Sequence, residues 1–260
     1  MKYLSLTLLP FLSAAVSAGD IVWSGFFNES FAVEDLDKWS WSSQIPPYQW
    51  YIHGSSATSS YLSLSDTFKN PKSTAHEEDI QGLKTTIDET SSWNGQTMMR
   101  TELIPQVDTS ANTDLGAGKK FYHFSLSVKE DGLPGADLEH QIAFFESHFT
   151  ELKYGGSSDT ASKLAWYAGG TSQWSTELTA GVWHNFAYGI DFDAGTVALY
   201  ASQGGADLEL VVEAVSADAS SNSQDWHVGV LRLDNGQSGG SEAWFWSGVY
   251  VEEGTVTLQV

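Results

Sequence analysis

The sequence predicts an all-β protein built as a sandwich or jelly roll. Apolar residues alternate with polar ones in short runs, the pattern of half-buried strands. The gaps between runs are brief and rich in Gly, Ser and Asp, as in Gly155-Gly156-Ser157-Ser158-Asp159 and 235–241. No repeat of solenoid or propeller length is present.

In chain order, Phe121 to Val128 puts Tyr122, Phe124, Leu126 and Val128 on one strand face. Trp183 to Tyr200 reads as a hairpin, with Asp193-Ala194-Gly195 turning between Phe186–Phe192 and Thr196–Tyr200. Trp226 to Leu233 and Ala243 to Val251 read as further strands. One segment reads otherwise. Leu138, Ile142, Phe145, Phe149 and Leu152 follow a helical period, so pattern alone favours a helix there.

The 260 residues carry 12 Lys and Arg against 33 Asp and Glu, a formal net charge of −21. Phosphate binding needs clustered cations, and Arg100 and Arg232 are the only arginines, which argues against nucleic acid. The same charge argues against anionic membranes and polyanionic substrates. Neutral partners stay open. The absence of Cys removes disulfides, thiol catalysis and thiolate metal sites, and favours one large core over two small domains.

Met1 to Ala18 has the form of a secretory leader: Lys2, an apolar stretch Leu4 to Leu12, and small residues Val16-Ser17-Ala18. The expectation is a secreted, extracellular, monomeric product of one domain, 19–260, with Asn28-Glu29-Ser30 as a glycosylation sequon.

Two acidic constellations could carry chemistry. In a strand, Arg100 and Glu102 share a face, and the arginine would keep Glu102 ionised. The alternative is a structural ion pair. Glu139-His140-Gln141, followed by Glu146-Ser147-His148, leads into an apolar run and resembles a strand end facing a cleft. Glycoside chemistry wants two carboxylates, one protonated and one ionised. Glu102 fits the ionised base or nucleophile, while partial desolvation of Glu139 would suit a proton donor. A metal reading of His140, Glu146 and His148 has no His-x-x-x-His or Cys motif behind it, and no cofactor fingerprint occurs. Trp39, Trp41, Tyr48, Trp50 and Tyr51 crowd one stretch with His53, and Trp166, Tyr167 and Trp174 form another. Flat aromatic faces suit pyranose rings, although any single Trp more often fills a core.

Leu36–Ser42, Tyr51–Gly54, Trp93–Thr97, Arg100–Pro105, the long block Glu139–Lys153, and Trp183–Asn185 with Tyr188–Asp193 resemble, in order, glycoside hydrolase family 131. The resemblance implies a β-jelly-roll of two antiparallel sheets with an open concave groove, which favours strand over helix for Glu139–Phe149. It implies a secreted β-glucanase acting on β-1,3-, β-1,6- and β-1,4-linked glucans; the lack of a metal or cofactor motif adds the expectation that none is needed. Its catalytic carboxylates map onto Glu102 and Glu139. Arg100, His140, Gln141, Glu146, His148, Trp50, Tyr51 and His53 are then substrate-binding candidates. Two other readings remain. A polysaccharide lyase on a related jelly roll shares the Arg-Thr-Glu-Leu strand, but Ala143 stands where that pattern places His or Val. A glucan-binding lectin would need aromatic platforms without opposed carboxylates.

Overall fold

The computed structural model describes residues 18–38, 47–107, 113–157, 160–236 and 239–260. The leader expectation, apart from Ala18, and the Trp39 and Trp41 platforms lie outside them. The strands run β1 Asp20–Ser24, β2 Tyr48–Ile52, β3 Leu62–Ser65, β4 Gly82–Ile87 and β5 Met99–Pro105. Next come β6 Lys119–Val128, β7 His140–Phe145, β8 Thr150–Tyr154, β9 Lys163–Ala168 and β10 Thr171–Glu177. The last are β11 His184–Asp191, β12 Thr196–Gln203, β13 Glu209–Ser216, β14 Trp226–Arg232 and β15 Glu242–Glu253.

They form two antiparallel sheets. One has the order β13-β12-β11-β6-β15-β4-β3, with β1 also on β15; the other has the order β10-β9-β8-β7-β14-β5-β2. This is a jelly-roll sandwich, as expected. The predicted hairpin is present as β11–β12, with Asp191 opposite Thr196.

The core lies between the sheets and is largely aromatic. Trp226 packs edge-on against Tyr122 (5.0 Å) and Trp23 (6.2 Å), and Phe124 meets Tyr188 at 5.2 Å. Each such fully buried ring contributes about 1.5–3 kcal/mol of hydrophobic stabilisation, so these layers hold the sheets face to face without disulfides.

Register irregularities occur at three of the rims, while the β3–β4 edge is regular. Pairing slips between Ser172 and Trp174 in β10, between Trp50 and Ile52 in β2, and twice where β12 meets β13.

The segment with helical periodicity is two strands. Ala143 has a φ of 47°, a left-handed kink within β7, and opposite it β14 carries the extra residue of a bulge between His227 and Val230. The kink lets Ile142 and Phe145 both face the core three residues apart, where a regular strand would need an even spacing. Phe149 then sits in the turn and Leu152 in β8, which completes the false helical period.

Candidate active site

Alternation along β5 sends Leu103 into the core and Arg100 and Glu102 to the opposite face of the second sheet. There Arg100 Nε and Nη2 donate to Glu102 Oε1 and Oε2 at 2.7 and 2.8 Å, a bidentate grip. On the neighbouring strand Gly229 lies opposite Glu102. A β-carbon at Gly229 would stand 2.2 Å from the Thr101 carbonyl oxygen, so a side chain there would push β14 off β5. This close approach sets His227 beside the carboxylate.

His227 Nδ1 and Glu102 Oε2 are 2.5 Å apart, and His227 Nε2 and Glu146 Oε2 are 3.0 Å apart. Glu146 follows β7 in a turn, and its backbone N–H donates to the Asp225 carbonyl at 2.9 Å, tying the turn to the start of β14. The Glu102 side chain is fully buried, those of Arg100 and His227 are nearly so, and that of Glu146 is 70% exposed. Charge thus alternates from buried floor to open surface: Arg100, Glu102, His227, Glu146.

The electrostatics follow from this line. Burial pushes the Glu102 carboxyl up, but His227 and Arg100 together outweigh it and hold it below the ordinary carboxylate value. Burial pulls His227 down, but the charge of Glu102 and the hydrogen bonds to both carboxylates prevail, and its pKa is raised. The hydrogen bond from His227 holds Glu146 low against partial burial. His227 is therefore poised as a proton carrier beside an ionised, exposed carboxylate.

A cleft of ≈370 Å³ opens over this group, with Trp93, Gln96, Arg100, Glu146, Asp225 and His227 on its walls. A larger hollow of ≈490 Å³, near Met99, Arg232 and Asp234, lies away from the charged line. Chemistry, not size, selects the first. Beyond the cleft, Phe144 is stacked between His227 (4.4 Å, 11°) and His148 (5.0 Å, 5°). His148 Nδ1 pairs with Glu151 at 3.0 Å.

The sequence-predicted residues divide accordingly. Arg100, Glu102 and Glu146 come together, with His148 one ring further along. Glu139 does not join them. Arg100, Leu231 and Gln141 share one level across β5, β14 and β7, and Glu102 and Glu139 lie two residues away in opposite directions. Four residues along and two strands across separate their backbones by roughly 16 Å. Glu139 Oε1 accepts from Lys153 Nζ (3.0 Å) and Gln141 Nε2 (3.1 Å). Burial pushes Glu139 up, but these donors win and its pKa is lowered, against the expectation of a desolvated proton donor.

The groove placement expected for His140 is also corrected. Its side chain is fully buried between the sheets, with Nε2 at 2.9 and 3.0 Å from the two oxygens of Glu242, which also faces Arg232 at 3.4 Å. The metal alternative falls with it, since His140 points into the core while Glu146 and His148 stand on the outer face. His53 lies just past β2 with Nδ1 on the Gly54 carbonyl (2.7 Å), outside the described cleft wall. Trp50 and Tyr51 are placed by backbone alone, in β2 beside β5. Asn28 is exposed, and its Oδ1 accepts from the Ser30 N–H and hydroxyl at 3.0 and 2.8 Å.

Sequence reasoning missed His227. The signal was present: in Trp226-His227-Val228-Gly229-Val230, alternation sets His227 and Gly229 opposite a fully apolar face.

A sandwich that leaves one sheet face open and seats a proton-transfer group in it is built to work on an extended substrate, and comparison with known proteins makes the class specific: this is a glycoside hydrolase. The model of the Glycoside hydrolase 131 catalytic N-terminal domain matches residues 21–257. The catalytic domain of a glycoside hydrolase family 131 protein from Coprinopsis cinerea is 52% identical, with a TM-score of 0.85, covering 93% of this chain and 98% of that one. A GH131 beta-glucanase catalytic domain from Podospora anserina is 50% identical, with a TM-score of 0.87, covering 93% and 99%. No curated protein matches. The chain belongs to glycoside hydrolase family 131.

Proposed function

We propose that the protein is a secreted, monomeric β-glucanase that hydrolyses β-1,3-, β-1,6- and β-1,4-linked glucans, with Glu146 and His227 as the groups that meet the substrate. The observation that carries this is the pairing of His227 Nε2 with the exposed Glu146 carboxylate at 3.0 Å, at the open end of a buried charge line. In this reading the His227 imidazolium gives its Nε2 proton to the departing glycosidic oxygen. The Glu146 carboxylate takes a proton from the water that adds to the anomeric carbon. Proton transfer from Glu146 back to His227 then restores both groups. Substrate entry requires the exposed Glu146 to swing away from the ring, leaving room for the sugar between them.

Glu102 and Arg100 act through His227. Glu102 has no exposed surface and both its oxygens are engaged by Arg100 and His227, so it fixes the ring's orientation and favours its proton. The secreted state rests on the Met1–Ala18 leader and predicts a chain beginning near Gly19 with sugar on Asn28, both read from the mass of secreted material. Incubation with laminarin, a mixed-linkage glucan and a soluble cellulose derivative, with and without chelator, tests the activity. Reducing sugar released in both conditions is expected. An unsaturated, ultraviolet-absorbing product would replace this reading with a lyase, and binding without product would replace it with a lectin.

A further inference from the structure

The open mouth of the sandwich between β10 and the β12–β13 edge holds a pocket of ≈340 Å³ that the cleft chemistry does not use. The geometry points to a second saccharide-binding site there, for a neutral β-glucan chain. It rests on the glucan reading of the protein but not on the cleft residues.

Trp174 is the platform. It lies opposite Trp166 across the β9–β10 pair, and its ring meets Phe186 edge-on at 6.0 Å and 82°. That contact fixes the ring while the residue, partly buried against the core, still lines the pocket. A held indole with a free surface loses little entropy on binding and offers an apolar plane to a pyranose. Gln203 bridges the floor, with Nε2 3.3 Å from Thr176 Oγ1 and 3.5 Å from His184 Nδ1. His184 is 1% exposed and its Nε2 has no hydrogen-bond partner among the described residues. A buried polar atom left over beside a pocket is the mark of a site completed by water or ligand.

The wall carries Asp207 and Glu209, both exposed and without an ion pair among the described residues. Carboxylates accept strong hydrogen bonds from vicinal hydroxyls. Among the described residues no Lys or Arg lines the pocket, so an anionic sugar would meet only repulsion there. From β14, which carries His227, to β10 is four strand spacings, roughly 19 Å, and the pocket opens at the rim, not on the cleft face. The site would therefore hold a different stretch of polymer from the one being cut.

Calorimetric titration of the full chain carrying Glu146→Gln with a linear β-glucan hexasaccharide tests this. Two sites per chain are expected, falling to one when Trp174→Ala is added. Because Trp174 touches Phe186, the double change Asp207→Asn with Glu209→Gln serves as a second, purely exposed probe and should also leave one site. With Glu146 intact, Trp174→Ala should keep kcat/KM on a short soluble oligosaccharide within about twofold, while retention on polymeric glucan weakens about tenfold. A single site in the Glu146→Gln chain, or two sites that survive both probes, would overturn the proposal. Binding of a glucosamine oligomer in place of the neutral one would overturn it in favour of a cation site. Loss of hydrolysis in the parent chain with Trp174-dependent binding retained would sink the glucanase reading alone.

Discussion

Glu102 Oε2 and His227 Nδ1 stand 2.5 Å apart, although 125 residues separate them in sequence. The bond leaves the ring one other nitrogen, and that nitrogen meets Glu146. A fully buried carboxylate held by Arg100 thus sets the charge state of an atom in the open cleft.

Replacing Glu146 by Gln should lower kcat by about 10² or more. Its side chain is mostly in water, so the melting temperature should stay close to the parent's. Steady-state assays on laminarin alongside a thermal melt decide it. Near-parental turnover would remove Glu146 from the chemistry.

His227→Gln should cost a comparable factor on glucans and be partly rescued on an aryl glucoside whose leaving group needs no proton. Equal loss on both substrates would point to a binding role instead.

Glu102→Gln should act on the pH profile. Glu102 is the main influence raising His227, so its loss moves the basic limb of kcat/KM to lower pH. The sign is fixed by linkage. His227 is raised, so its contribution to stability is complete below about pH 6.5 and fades as pH rises through its folded value. Glu102 and Glu146 are lowered, so theirs is present above about pH 4.3 and fades as pH falls through their folded values. The parent should be steadied by this cluster most between those limits. The variant should also lose about 3–5 kcal/mol, because it leaves buried charges uncompensated. An unmoved basic limb would separate Glu102 from His227.

The buried pair His140–Glu242 predicts the opposite division. His140→Ala should destabilise the fold by about 3–5 kcal/mol while folded material keeps near-parental kcat. Denaturant unfolding and activity per folded molecule report the two effects. A specific loss of kcat would return His140 to the groove.

Acid should weaken the fold through His184. Burial holds its pKa at about 4, so between pH 6.5 and 4 the unfolded chain binds the proton that the folded chain refuses. Stability should fall by up to about 1.4 kcal/mol per pH unit across that window for this group. His76 and His123, also lowered by burial, act in the same direction. His184→Gln should flatten the slope, and an unchanged slope would assign it elsewhere.

Period-two logic made β5 legible, since Arg100 and Glu102 must share a face in any strand. The hairpin β11–β12 was legible because Asp193-Ala194-Gly195 is local turn chemistry. The separation of Glu139 from Glu102 was hidden for a definable reason. Choosing between Glu139 and Glu146 requires knowing how β7 lies against β14, and the kink at Ala143 erases the alternation that would have told them apart. The place of His140 was hidden similarly, since its partner Glu242 is 102 residues away on the other sheet. Both are matters of register, which pairing distant strands decides and local pattern does not.

The slipped rims have a colloidal consequence. A flat exposed strand templates a neighbour's, and sandwiches with such margins clump edge to edge. Here β2, β10 and the β12–β13 margin are each kinked out of register, and β13 adds Glu209 and Glu213 to a margin that also exposes Leu210. With −21 on every molecule, two copies meet as repelling bodies with mismatched margins. Repulsion and slipped pairing both work against edge-to-edge addition of a second copy.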